Sequence, residues 1–425
     1  MYKYITDLVL GVDAVLLVCT AVLLISVVIY SAAEDYFYRK RVKALVKIKN
    51  YLYEQTVAGE KKCPIQALYD IAPSQFLDVV TNRYREVIFF NLSEQRLFTD
   101  CFISQQKLSR LENIARSHGD KWRRIEAMLC LGYARVQSSV DIFKRTVFDK
   151  DKDLSYFSII ALGQIKTISS ARILVEFLCK KYSYRYKIVA TLETFPPVVA
   201  DEIAPLLKSE DPFLRSSALK LTSRFKSLNY REDVEAMALH DSSDNVRSDA
   251  CESLGNLGLA ESRDTLIICL KDDFWQVRSS AVEALSKISH GRSIPDVIGL
   301  MNDGSLSVID SVRNVMGRHI KESLPYIEGF LRGNDAMAKK ISLEALEESG
   351  YILELFKNIL AGNDKDGSIH FLELVIKSGS HFGLEAAMLG LDGRSRKDIL
   401  KVISSFNTAL AEHIEKKLEH KIAEI

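Results

Sequence analysis

From Leu8 to Ala33 nearly every position is apolar, and Ala14 to Ala33 carries no charge over 20 residues. At about 1.5 Å of rise per residue, such a helix spans the roughly 30 Å hydrocarbon core of a bilayer. The pattern therefore predicts one transmembrane helix over about 8–33. A cleaved signal peptide is the rival reading, because Ser31-Ala32-Ala33 offers small residues to a peptidase. Against it, the apolar run exceeds the roughly 7 to 15 residues of a signal, and Lys3 is the only basic residue ahead of it. Arg39, Lys40, Arg41, Lys43, Lys47 and Lys49 follow it at once. Positive charge stays on the cytoplasmic side, so the bulk of the chain is expected in the cytoplasm, held by a single pass in the inner membrane. Residues 36–53 read as a basic juxtamembrane helix with Tyr36, Phe37 and Tyr38 at headgroup level. Each base there adds about 1 kcal/mol of attraction to an anionic leaflet.

Beyond residue 118 the apolar positions fall at helical spacing and recur. A leucine-like position returns at Leu131, Leu162, Leu192, Thr222, Leu254, Leu285, Met316, Leu346, Ile376 and Phe406, in steps of 30 to 32 residues. Four residues earlier stand Ala127, Ser158, Ile188, Ala218, Ala250, Ala281, Val312, Ser342, Leu372 and Val402. That is the i, i+4 spacing of one helix face. Each period has room for two helices of about 10 to 13 residues and two tight turns, so about ten helix pairs are expected over 119–425. Asp211-Pro212 supplies an N-cap and a proline at the first helical position, while Pro205, Pro295 and Pro325 are expected near the starts of the alternate helices. Residues 54–118 contain amphipathic stretches without the repeat and are expected to form a helical cap over the first pair.

Composition agrees with an all-α chain, since 425 residues hold 8 prolines and 20 glycines. Lys plus Arg (57) nearly cancels Asp plus Glu (56), which removes the basic excess of a nucleic-acid binder. Seven cysteines lie scattered on apolar stretches without a CxxC pair, the pattern of buried, reduced thiols.

The best copies run Asp241 … Val246-Arg247 … Ala250 … Leu254-Gly255 and Asp272 … Val277-Arg278 … Ala281 … Leu285. This pattern resembles the HEAT-like repeats of phycobilin lyases and bacterial adaptor proteins. The resemblance implies a right-handed α-solenoid with a concave binding surface, and stacking at about 8 to 10 Å between axes would extend ten pairs toward about 100 Å. It also implies a ladder between units, with Arg124, Arg185, Arg215, Arg247 and Arg278 at the arginine position and Asp241 and Asp272 at the aspartate position. Ile309, Ile369 and Ile399 interrupt the arginine column, so the ladder is expected to end before the last units.

Candidate chemistry changes this picture little. The eight histidines form no HExxH pair, and no GxSxG, Walker or GxGxxG motif is present. Gly255 and Gly258 are read as repeat-turn glycines. Residues 362–373 mimic an EF-hand loop through Asp364, Asp366 and Glu373, but Gly362 stands where the first carboxylate belongs, so calcium binding is not expected. Two aromatic clusters, Tyr184 with Tyr186 and Phe274 with Trp275, are candidate partner contacts, because aromatic residues concentrate at hot spots. The expected function is a membrane-anchored scaffold, without cofactor or catalysis, that binds a protein partner, with a cell-envelope glycosyltransferase assembly as the guess. The alternative is an enzyme of the bilin-lyase or DNA-glycosylase type.

Overall fold

The computed structural model describes residues 22, 24–33, 35, 36, 39, 105–117, 119–180, 183–363, 365–379 and 382–423. The first half of the expected membrane span, Lys40, Arg41, Lys43, most of the expected cap and Asp364 lie outside the described residues. Residues 24–33 are helical and exposed on every side. No helix among the described residues is long and apolar enough to cross a membrane.

All regular structure among the described residues is helical. The chain divides into two compact units, residues 1–199 and 200–425. In the first, α1 (Gln105–Ser117) packs on α2 (Lys121–Tyr133), and α3 (Val140–Val147), α4 (Lys152–Ile165), α5 (Ile168–Lys180) and α6 (Arg185–Leu192) follow. Leu111 and Ala115 of α1 are buried, and its Glu112 accepts from the Ser138 and Ser139 hydroxyls (2.8 and 3.0 Å), so α1 covers the first repeat.

The second unit contains α7 (Ala200–Ile203), α8 (Pro212–Arg224), α9 (Arg231–His240), α10 (Asp244–Leu257), α11 (Arg263–Cys269), α12 (Trp275–Ser289) and α13 (Ile294–Val297). It continues with α14 (Leu306–Arg318), α15 (Ile320–Arg332), α16 (Ala336–Glu348), α17 (Tyr351–Ala361), α18 (Lys365–Lys377), α19 (Phe382–Leu389), α20 (Gly393–Phe406) and α21 (Thr408–Ala423). Even-numbered helices from α8 to α20 carry the repeat template, and the α8–α10, α10–α12, α12–α14, α14–α16 and α18–α20 pairs pack side by side. The odd-numbered helices form the other layer.

Five template helices begin where an aspartate caps them. Asp120, Asp151, Asp211, Asp335 and Asp392 each accept a backbone N–H from the first turn, as Asp211 does from Phe213 (2.9 Å) with Pro212 at the start. The core follows the two expected columns through Leu372 and Ile376. In the last template helix it does not: Ile399 and Ile403 are buried, whereas Val402 and Phe406 are half-buried. The tenth period has slipped by three residues, and Ile399 is a core residue rather than a gap in an arginine column.

The alternate layer departs from the expected helix lengths. Helices α7 and α13 have four residues each and continue as 3-10 turns, Ala204–Lys208 and Ile298–Leu300. Pro205 and Pro295 stand at helical starts as expected. Pro325 lies inside α15 instead, beyond the first turn where its missing N–H would cost nothing.

Candidate functional site

The repeat seam from α8 to α14 is built from one arginine on each of α8, α10 and α12. Arg215 grips Asp241 with two parallel bonds, Nε to Oδ2 and Nη2 to Oδ1, both 2.7 Å. Arg247 holds Asp272 at 2.8 and 3.0 Å, and Arg278 holds Asp303 at 2.8 and 2.7 Å. The remaining nitrogen, Nη1, donates back to the turn ahead of its own helix: to Ser209 and Glu210 carbonyls from Arg215, to Asp241 from Arg247, to Asp272 and Asp273 from Arg278. Each arginine thus ties its own turn to the next one, and the planar fork of guanidinium suits both tasks.

These three aspartates are not helix caps. Each sits two residues ahead of the N-cap and accepts that residue's amide, Ser243, Phe274 or Ser305, at 2.8 to 2.9 Å. Burial pushes the Asp241 and Asp272 carboxyls up, but the arginine and amide bonds outweigh it and hold both below the ordinary range. Asp303 is lowered chiefly by Arg278. Asp303 escapes the sequence reading because its own unit carries Ile309 at the arginine position. Its signal is the 31-residue step from Asp241 to Asp272 to Asp303.

Within the first unit the seam has another chemistry. Arg124 donates to the Ala115 carbonyl (3.3 Å), and Lys121 meets Asp151 and Asp153 at 3.3 and 2.7 Å. Ser155 stands at the arginine position, and its hydroxyl bonds the Val147 and Asp149 carbonyls (2.7 and 3.2 Å), the turn-tying half of the arginine's work. Arg185 opens α6. An open groove between α3 and α5, lined by Asp141, Lys144, Arg145, Phe148, Glu176 and Lys180, was not signalled by any motif.

Glycine permits the closest approach of template helices. A Cβ at Gly132 would lie 2.6 Å from the Ala161 Cα, and one at Gly255 would lie 2.7 Å from the Ala284 Cα. Gly255 is therefore a helix-contact residue within α10, not a turn glycine; Gly258, with φ +76°, ends that helix in the left-handed conformation. Polar pairs also bridge template helices: Ser248–Ser280 (2.9 Å) and Ser279–Ser311 (2.7 Å), both partly buried, and Lys287–Asn256 (2.9 Å) and Arg318 with Glu283 nearer the surface.

The two aromatic clusters separate. Tyr184 is half-buried, meets the Tyr156 ring at a tilt and donates to the Lys152 carbonyl (3.1 Å), so it closes a seam, while Tyr186 is 81% exposed. Phe274 and Trp275 are 47% and 43% exposed at the start of α12, with the Arg247 guanidinium 5.3 Å from the Phe274 ring. The EF-hand resemblance does not become a loop: helix α18 begins at Lys365, Asp366 and Glu373 lie on it seven residues apart, and Glu373 pairs with Lys377 (2.6 Å). Asp366 is the second residue of that helix. No group of three metal-ligating side chains occurs among the described residues. Cys130, Cys251 and Cys269 are buried free thiols, whereas Cys179 is exposed, against the expectation of burial.

The family model described as HEAT repeats matches residues 231–316, the segment that holds Arg247, Arg278 and all three ladder aspartates. Among solved structures the chain is similar to YibA of E. coli, with 19% identity and a TM-score of 0.30 over 67% of this chain and 93% of that one. It is similar also to the CpcE–CpcF complex of phycocyanin lyase from Nostoc sp. (17%, TM-score 0.28, 63% and 94%) and to importin beta (12%, TM-score 0.45, 79% and 51%). No curated protein matches by sequence.

Proposed function

We propose that the chain is a membrane-tethered scaffold whose HEAT repeats hold a protein partner at the cytoplasmic face, binding rather than catalysing. The observation that carries this reading is the ladder. Its strongest polar groups are committed to joining one repeat to the next, so the array works as a stiff support whose function lies in exposed surface. The anchor rests on the charge-free run Ala14–Ala33 and on the helix within it. Leu24, Ile25, Val27, Val28 and Ile29 are 59 to 66% exposed, and a helix apolar on all sides needs protein or lipid around it.

Fractionation tests the anchor: the full chain should stay in a carbonate-washed membrane pellet, and the double substitution Leu24→Lys, Val28→Lys should release it. Release of the unaltered chain by carbonate would remove the anchor. A pulldown from detergent extract, with and without residues 120–425, tests the repeats. Recovery of the same proteins by both forms would show that the repeats are not the binding element.

A further inference from the structure

Two of the buried thiols meet. Cys251 of α10 is 0% exposed and Cys269, the last residue of α11, is 3% exposed. Helix α9 packs on both of these helices, and the Cys269 thiol donates to the Ala238 carbonyl of α9 (Sγ to O, 3.6 Å). At that junction the Cys251 and Cys269 thiols are hydrogen-bonded to each other. A buried cysteine on its own behaves as a small apolar residue, and the repeat itself shows what the fold asks for here. Cys251 follows the small residue of its template helix and Cys269 stands three residues before the ladder aspartate. Those two positions hold Leu219 and Ala238 one period earlier, and Val282 and Leu300 one period later. Apolar side chains serve on either side, so packing alone does not account for two sulfurs in contact.

The pair lies beside the ladder. Cys251 stands four residues beyond Arg247 on α10, and Cys269 three before Asp272, so a bond between them would join the same two stretches of chain that the Arg247–Asp272 pair joins. Thiolate rather than thiol is the nucleophile. Cys269 is the sulfur poised for that part, because the bond from Cys251 holds its thiol below the ordinary range, while the same bond and burial hold Cys251 above it.

We propose that Cys251 and Cys269 are an oxidisable dithiol site, which a hydroperoxide converts into a disulfide that staples α10 to α11. The Cys269 thiolate attacks one peroxide oxygen. The O–O bond breaks, and the other oxygen leaves as water or an alcohol with the proton that Cys269 gave up. Cys269 is then a sulfenic acid. Cys251 attacks its sulfur, the S–S bond forms, and the sulfenic oxygen leaves as water with the Cys251 proton. Two electrons pass from the sulfurs to the peroxide. Because both thiols are buried, the first step waits on opening of the α10–α11 pair. The site goes beyond the scaffold reading and does not depend on it.

The test uses the full chain, reduced and then exposed to hydrogen peroxide. Alkylation, digestion and mass spectrometry should recover a peptide pair joined through Cys251 and Cys269 and separated again by dithiothreitol. Amide exchange across residues 251–269 should slow at least about tenfold on oxidation, as expected of a bond that closes so short a loop, and should recover on reduction. With Cys251→Ser the reaction should stop at the sulfenic acid, so dimedone, which traps that state, should label Cys269 more strongly than in the unaltered chain. The unaltered chain decides the matter even if the variant fails to fold. Peroxide that oxidises the exposed Cys179 while Cys251 and Cys269 stay open to alkylation after unfolding would overturn the site. So would bonds joining Cys179 to either of them as readily, or a joined pair whose amide exchange is unchanged.

Discussion

Asp272 receives two bonds from Arg247 and one from the Phe274 amide, with the paired side chains only 12 and 14% exposed. Removing one partner of a largely buried pair strands the other. Asp272→Ala is therefore expected to cost about 2 to 4 kcal/mol, less than a fully buried pair because solvent still reaches the edge of this one. Denaturant titration measures it, and a loss below about 0.5 kcal/mol would mean the pair is merely a surface contact. The pH dependence has a definite sign. Asp241, Asp272 and Asp303 titrate below an unfolded aspartate, about 3.9, so their stabilisation is whole above that pH and drains away as pH falls through the folded values. Asp303→Asn should flatten the acid limb of a stability–pH curve; an unchanged limb would place the acid sensitivity elsewhere. Both Asp241 and Asp272 are legible in the sequence because the arginine of their own period stands six residues on. The partner is in fact the arginine one period earlier, and for that reason Asp303, followed by Ile309, is missed.

At the scale of helices, the approach of α10 to α12 depends on Gly255 lacking a Cβ. Gly255→Ala places a carbon against the Ala284 backbone, which cannot rotate away, and overpacking of this kind costs about 1 to 3 kcal/mol. Gly299→Ala, with nothing within 4 Å, is the matched control and should be far milder. At the other end, Glu385 of α19 is buried to 4% exposure and receives Lys417 of α21 at 2.8 Å. Glu385→Ala is expected to raise amide exchange across residues 408–423 while leaving α8 to α12 unaffected; uniform exchange would deny α21 this latch. The template helices were readable because their buried columns keep i, i+4 spacing. Their partners were not. A four-residue α13 or a proline inside α15 is decided by packing against the template layer, and the last period slips because Ile399 and Ile403 reach the core better than Val402 and Phe406.

The two compact units join their repeats by different means, a lysine and serine seam before residue 200 and an arginine ladder from Arg215 to Asp303 after it. A net charge of +1 conceals this, since most ladder charge cancels locally. Nearest-neighbour coupling of this sort makes a repeat array unfold as one. Replacing both Asp272 and Asp303 by alanine should broaden the urea transition or split it, as the repeats on either side lose their link; a sharp single transition would assign cooperativity to the apolar columns alone. What stayed illegible at this scale was the groove between α3 and α5, whose lining comes from two helices and no single motif.

The forward reach of each arginine also bears on how such a gene can change length. Joining Val246 directly to Arg278, by excising Arg247 through Val277, leaves Arg215 facing Asp241 and Arg278 facing Asp303. No charge is orphaned at the splice. Recombination within the coding sequence can therefore add or drop a whole repeat in this stretch without first inventing a compensating residue.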